Sequence, residues 1–308
     1  MMFKRILIPL DGSLRSEQAL ELVSKLFADD DIELILLEAT GSPTVTYPIY
    51  GAGMEGYVYP IPEYKKADAD KYVGSIAEAT RSWAPHVRGV SMLGRPDEAI
   101  IEVAKSENVD LIIMVTHGYD AFERLLLGSV TEKVIRDASC PVLAIRDGHL
   151  PKHMLIALDG TQFSEAILEP AFALAQLIGA DVTLARVDVP ADDLNMRELA
   201  ELSTIDRKLA DTLVIQHNSR SEFYLDDLRS RYLRDDAKSE KTKINIDYDV
   251  EHGKPRLRLP KVAERHGCDL IAMATHGRKG LDRFFNRSVT EDVMHHTQTA
   301  MLVVHPDG

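Results

Sequence analysis

One pattern occurs twice along the 308 residues, and this duplication constrains the fold more than any other feature of the chain. Ile6-Leu-Ile-Pro-Leu-Asp11-Gly12-Ser13 returns as Leu155-Ile-Ala-Leu-Asp159-Gly160-Thr161, an offset of 159 − 11 = 148. Gly94-Arg95-Pro96 returns as Gly253-Lys254-Pro255. The stretch from Asp110 to Gly118 returns as Asp269 to Gly277, and Ser129-Val-Thr-Glu132 as Ser288-Val-Thr-Glu291. These three matches share an offset of 159. The additional 159 − 148 = 11 residues of the second copy therefore fall between its second strand and its Gly-x-Pro turn. Rigid matches in one order mean two copies of one unit, read as residues 1–148 and 149–308.

Each copy alternates short apolar runs with helical periodicity. In the first, residues 5–10 read as a buried strand. Ser13 is placed to cap a helix whose inner face carries Leu20, Val23, Leu26 and Phe27. Residues 32–38 give a second strand and 87–92 a third, weaker one. Helical spacing at Ala99, Ile100 and Val103 covers 96–106. Residues 110–115 form a fourth strand, 128–137 a helix and 141–145 a fifth strand. Fully apolar strands separated by helices predict a parallel sheet covered on both faces. Residues 146–152 are a short, turn-rich linker. Two inserts break the symmetry. Residues 40–64 are rich in Tyr, Pro and Gly, whereas about 195–241 is a charged stretch with a helical pattern. Each reads equally as a lid, a partner surface or a segment packed on its own domain.

Composition narrows the function classes. A net charge of −13 repels phosphate backbones and anionic lipid, which argues against nucleic acid and membrane as partners. No apolar run approaches the roughly 20 residues that cross a bilayer, and the N-terminus lacks a signal-peptide core, so the expected location is cytoplasmic. Two cysteines without a CxxC spacing, Cys140 and Cys268, read as reduced and buried.

Gly51-Ala-Gly53-Met-Glu-Gly56 matches a dinucleotide fingerprint by letter only, because Pro60 and Pro62 follow where that motif needs a helix. The informative arrangement is Thr116-His117-Gly118, then nine residues, then Gly128-Ser129. It joins the end of the fourth strand to the start of a helix. Backbone amides at such a start make an anion site, and glycine lets the backbone approach the anion. Asp11 closes the first strand. With strands one and four adjacent, where the winding reverses, both loops open on one crevice. His117 and His276 lie in the motif without metal spacing, and adjacent His295 and His296 diverge on a helix. No Ser/His/Asp or paired-carboxylate arrangement argues for catalysis.

These residues resemble the universal stress protein family, in its tandem form. Members that bind ATP show G-x-x-G, nine residues, then G-[ST], with an Asp after the first strand. The first copy matches at Asp11, Gly118, Gly128 and Ser129 but has Val115 at the first glycine. The second matches at Asp159, Gly277 and Ser288, with Ala274 and Arg287 at two glycine positions. Arg278, Lys279, Arg283 and Arg287 make that second loop basic. The resemblance implies an α/β fold of two tandem Rossmann-like domains, each a five-stranded parallel sheet of order 3-2-1-4-5 with helices on both faces. It further implies ATP with Mg²⁺ in the first domain, held by Asp11, Ala39 and Gly94 at the nucleoside and by Gly118, Gly128 and Ser129 at the phosphates. It implies a sensing module rather than an enzyme, and a homodimer, with the fifth strands at 141–145 and 300–304 pairing with each other or with a second chain. Two rivals stay open: a dimerising stress protein that binds no nucleotide, and an adenine-nucleotide hydrolase, whose Ser-Gly-Gly-x-Asp-Ser loop this chain lacks.

Overall fold

The computed structural model describes residues 2–27, 31–41, 45–46, 58–59, 63–115, 128–146, 149–188, 207–236, 243–275 and 289–306. The described residues divide into two compact units, one reaching His149 and the other starting at Leu150.

The first unit runs β1 (Arg5–Leu10), α1 (Leu14–Leu26), β2 (Glu33–Thr40), α2 (Glu63–Thr80), β3 (His86–Leu93), α3 (Pro96–Ser106), β4 (Leu111–Val115), α4 (Ser129–Asp137) and β5 (Val142–Ile145). The sheet order is β3-β2-β1-β4-β5, with every neighbouring pair parallel. This is the expected 3-2-1-4-5. β1, β2, β4 and β5 are apolar because helices bury them from both faces, and Ile6, Leu7, Ile8, Leu34, Ile112 and Val142 are wholly inaccessible. β3 pairs only with β2 among the described strands and is more polar, which is why its sequence signal is weak.

α1 starts at Ser13, whose hydroxyl accepts from the Ser16 amide at 3.2 Å. Its inner face carries Ala19, Leu22, Val23 and Leu26, with Phe27 buried at its end. Leu20, expected on that face, is part-exposed. The sequence pattern above assigns no helix to α2, yet buried Ala69, Val73 and Ala77 recur every four residues along it. α2 lies close on β3: a Cβ added to Gly89 would stand 2.8 Å from the Val73 carbonyl oxygen. Of residues 40–64, the described part includes a two-residue antiparallel ladder, Val45–Thr46 with Val58–Tyr59.

The second unit repeats the plan with β6 (His153–Leu158), α5 (Gln162–Glu165), α6 (Leu168–Ile178), β7 (Asp181–Asp188), α7 (Arg207–Asp236), β8 (Ile246–His252), α8 (Pro255–His266), β9 (Leu270–Ala274), α9 (Val289–His296) and β10 (Ala300–Val304). Its order is β8-β7-β6-β9-β10, again parallel throughout. α7 lies in the charged insert and holds to its unit through buried Leu225 and Leu228. Tyr232 adds a stack on Phe172 with ring centroids 3.8 Å apart. Cys140 and Cys268 are free and buried, and burial pushes their thiols up to about 12 and about 11.

Two outcomes follow. A disulfide reagent should label no thiol in the native chain and two after unfolding in guanidinium; stoichiometric labelling of the native chain would contradict the burial of both cysteines. Gly89→Ala should destabilise by about 1–3 kcal/mol, since helix backbone must shift to admit the methyl group. Gly74→Ala, on the open side of α2, should be neutral or stabilise by about 0.5–1 kcal/mol. Equal melting midpoints for the two variants would contradict the close approach of α2 to β3.

Candidate functional site

The site is assembled at the carboxyl ends of the strands in each unit. Its base is a turn that the sequence encodes twice. In the first copy Asp11 Oδ1 accepts from the Ser13 amide at 3.0 Å and from the Ser13 hydroxyl at 2.6 Å. Ser16 Oγ accepts from the Asp11 amide at 3.3 Å and donates to the Ser13 carbonyl at 2.9 Å. The second copy repeats each bond with Asp159, Thr161 and Ser164, at 2.8, 2.6, 3.2 and 3.0 Å. One carboxylate oxygen of each aspartate thus fixes the turn and orients the hydroxyl that caps the following helix, while Gly12 and Gly160 take positive φ (77° and 86°) inside it.

A tyrosine from the long helix fastens the next residue. Tyr72 donates to Glu17 at 2.8 Å and Tyr224 to Glu165 at 2.9 Å. Burial, helped by these carboxylates, lifts both phenols above their ordinary range. Sequence reasoning missed Ser16, Glu17 and Tyr72, although Ser and Glu stand five and six residues after the aspartate in both copies.

The second strand forms the facing wall. The β1–β2 ladder ends at Leu10 opposite Glu38, whereas β2 continues against β3 through Ala39 opposite Met92 and Thr40 opposite Leu93. Ala39 and Thr40 therefore overrun β1 and flank the Asp11 turn. Gly94 follows β3 with φ 146°, and its amide donates to the Thr40 carbonyl at 3.4 Å. Gly253 makes the equivalent bond to the Asp188 carbonyl at 3.0 Å. The fold thus places Gly94 beside the end of β2 that carries Ala39.

Beyond β4, Gly128 is the N-cap of α4 and Ser129 its first residue. Among the described residues no side chain caps that end, and a Cβ at Gly128 would meet nothing within 4 Å. The leading amides of α4 are left for an incoming acceptor, and the helix dipole favours a negative one. Val115 ends β4 as a buried core residue. Gly118, Gly277, Ser288 and the basic segment from Arg278 to Arg287 lie outside the described residues, as do His117 and His276. His296 is engaged with the Asp292 carbonyl at 2.6 Å. Among the described residues no group of three or more His, Cys, Asp or Glu could hold a metal, and no helix is long and apolar enough to cross a membrane.

The two copies differ most at the second-strand end. In the first, Glu38 Oε2 and Thr40 Oγ1 are buried without a hydrogen-bond partner, and burial together with the Asp11 charge raises the Glu38 carboxyl. In the second, Arg186 and Asp188 occupy these positions as an ion pair of 2.7 Å.

Comparison with known proteins supplies the family. The sequence model of the Universal stress protein family matches residues 2–146 and again 151–305. One universal stress protein of Methanocaldococcus jannaschii is 31% identical over 145 residues, which cover 47% of this chain and 83% of that protein. A second from the same organism is 30% identical over 156 residues, 47% of this chain and 96% of its own length. The crystal structure of a universal stress protein from Archaeoglobus fulgidus shares the fold over 99% of both chains, with a TM-score of 0.63 and 19% identity. The chain belongs to the universal stress protein family and carries the family's domain twice.

Proposed function

We propose that the first domain binds an adenine nucleotide, ATP with Mg²⁺, and that the chain acts as a binding and sensing module rather than an enzyme. The observation that carries this reading is the start of α4 at Gly128-Ser129, which no described residue caps or obstructs. It lies after β4, beside the strand whose neighbour leads into Asp11. A triphosphate would receive the α4 amides and the Ser129 hydroxyl, as anions do at helix N-termini. Gly118, which the motif assigns to the same phosphates, completes the set. The nucleoside end would meet Asp11, the backbone of Ala39 and the Gly94 turn.

The residues present fit such a ligand. Glu38 and Thr40 supply buried polar atoms that lack partners, and the ribose hydroxyls or the adenine amino group of such a ligand could donate to them. Mg²⁺ would be carried mainly by the phosphates and water, its usual mode, since the described residues offer no carboxylate cage. The chain would associate as a homodimer. Asp159, Gly277 and Ser288 give the second domain a weaker version of the same set.

The nucleotide-free reading draws on Val115, whose branched side chain stands where ATP-binding relatives of the motif have glycine. Thermal melts separate the two. At ~100 times its dissociation constant a ligand adds ~2.7 kcal/mol. For a domain of this size that raises the midpoint by about 5–10 °C. Millimolar Mg-ATP should give this shift in the wild type and not in Gly128→Arg, which blocks backbone access. An unchanged wild-type melt favours the nucleotide-free reading, and an equal rise in Gly128→Arg moves the site elsewhere.

A further inference from the structure

The two crevices are built from one plan, and among the described residues only the second has a side chain laid across its base. Arg186, near the end of β7, reaches over the Asp159-Gly160 turn, and a Cβ added to Gly160 would run into its Nη1. Two contacts hold the guanidinium there, and a third holds its carboxylate partner. Its Nε donates to Asp188 Oδ1 at 2.7 Å, Asp188 is itself buried, and the Ser221 hydroxyl donates to the other Asp188 oxygen at 2.7 Å. The guanidinium also stands 5.8 Å from the Tyr224 ring centroid, within cation–π range.

The repeat shows what the first domain has instead. The 148-residue offset maps Arg186 onto Glu38 and Asp188 onto Thr40. The Tyr72/Tyr224 pair, with its shared bond to Glu17 or Glu165, maps Ser221 onto Ala69. All three members of the Arg-Asp-Ser unit are therefore replaced together. Where the second domain is satisfied internally, the first leaves Glu38 Oε2 and Thr40 Oγ1 buried without partners, and the space a Cβ would enter at Gly12 is empty. A buried polar atom without a partner is costly, so the first arrangement gains on meeting a donor and the second does not.

We infer that Arg186 is a built-in occupant of the second crevice: its guanidinium takes the place over Gly160 that the first domain leaves open, so the chain admits one nucleotide, in the first domain. This rests on the nucleotide reading above. Arg186 sets which domain accepts the ligand.

Three measurements decide it. Equilibrium dialysis of the full chain with Mg-ATP should saturate at one nucleotide per chain, and saturation at two overturns the inference. Transplanting the unit into the first domain, as Glu38→Arg with Thr40→Asp and Ala69→Ser, should weaken Mg-ATP binding about tenfold or more. The transplanted chain should keep a cooperative melt, because the same three residues are accommodated in the second copy; a folded triple variant with wild-type affinity overturns the inference. The third is independent of nucleotide. The Arg186 Nε proton, assigned by its loss in Arg186→Lys, should exchange with water at least about tenfold more slowly than in an unstructured peptide, because it is bonded to a buried carboxylate. Exchange at the peptide rate means that the guanidinium is not seated and overturns the inference. No binding by the wild type would refute the nucleotide reading alone, and the exchange rate would still decide whether Arg186 fills its crevice.

Discussion

The Asp110 carboxylate accepts from two successive amides at the start of β1, Lys4 at 2.9 Å and Arg5 at 2.8 Å, while its own amide donates to the Arg5 carbonyl. Asp269 does the same for β6, taking the amides of Lys152 and His153 at 2.9–3.0 Å. These latches hold the fourth strand of each copy against the first, across the point where the winding of the sheet reverses. Chain order alone would let strand four continue outward from strand three. With the latch in place, the loops after strands one and four open side by side, which is where a doubly wound sheet offers a crevice. The apolar strands supply the burial energy. The aspartates, repeated at an offset of 159, fix which apolar strand lies next to which.

On that frame the two copies have kept one half of the site and changed the other. The Asp-Gly-[Ser/Thr] turn, its supporting Ser16 or Ser164, and the Tyr–Glu bond behind it are the same in both. What changed is the end of the second strand. An exchange of Glu for Arg at one position moves the local balance by two charges. In the second copy the arginine is neutralised by Asp188. In the first, burial, with the Asp11 charge beside it, raises the Glu38 carboxyl. Duplication allows this divergence, since one copy can close while the other remains available.

Much of the fold was legible in the sequence. The five strands per copy follow from Val/Ile/Leu-rich runs, and the motif spacing required strands one and four to be neighbours. α2 was not legible, because its buried face is made of small residues, Ala69, Val73 and Ala77, that give little hydrophobic contrast. The site was legible in part. Asp11, Ala39, Gly94, Gly128 and Ser129 could be named from motif and resemblance, but Asp11 has a structural duty as well, tying the turn through one oxygen. The role of Arg186 could not be read, because it depends on the side chain crossing to Gly160 from a neighbouring strand, a contact that spacing along the chain does not encode. Gly118, Gly277 and Ser288 rest on the motif alone.

The central claim is that one copy of the site is open and the other is filled by its own arginine. The most direct test is an amide nitrogen–proton NMR spectrum of the full chain titrated with Mg-ATP. Saturating shifts are expected at Gly12 and Ser13, at Ala39 and Thr40, and at Ser129 and Val130, with Gly160, Thr161 and Val187 unmoved. Matching shifts at Gly160, Thr161 and Val187, or shifts confined to those second-domain amides, would contradict it.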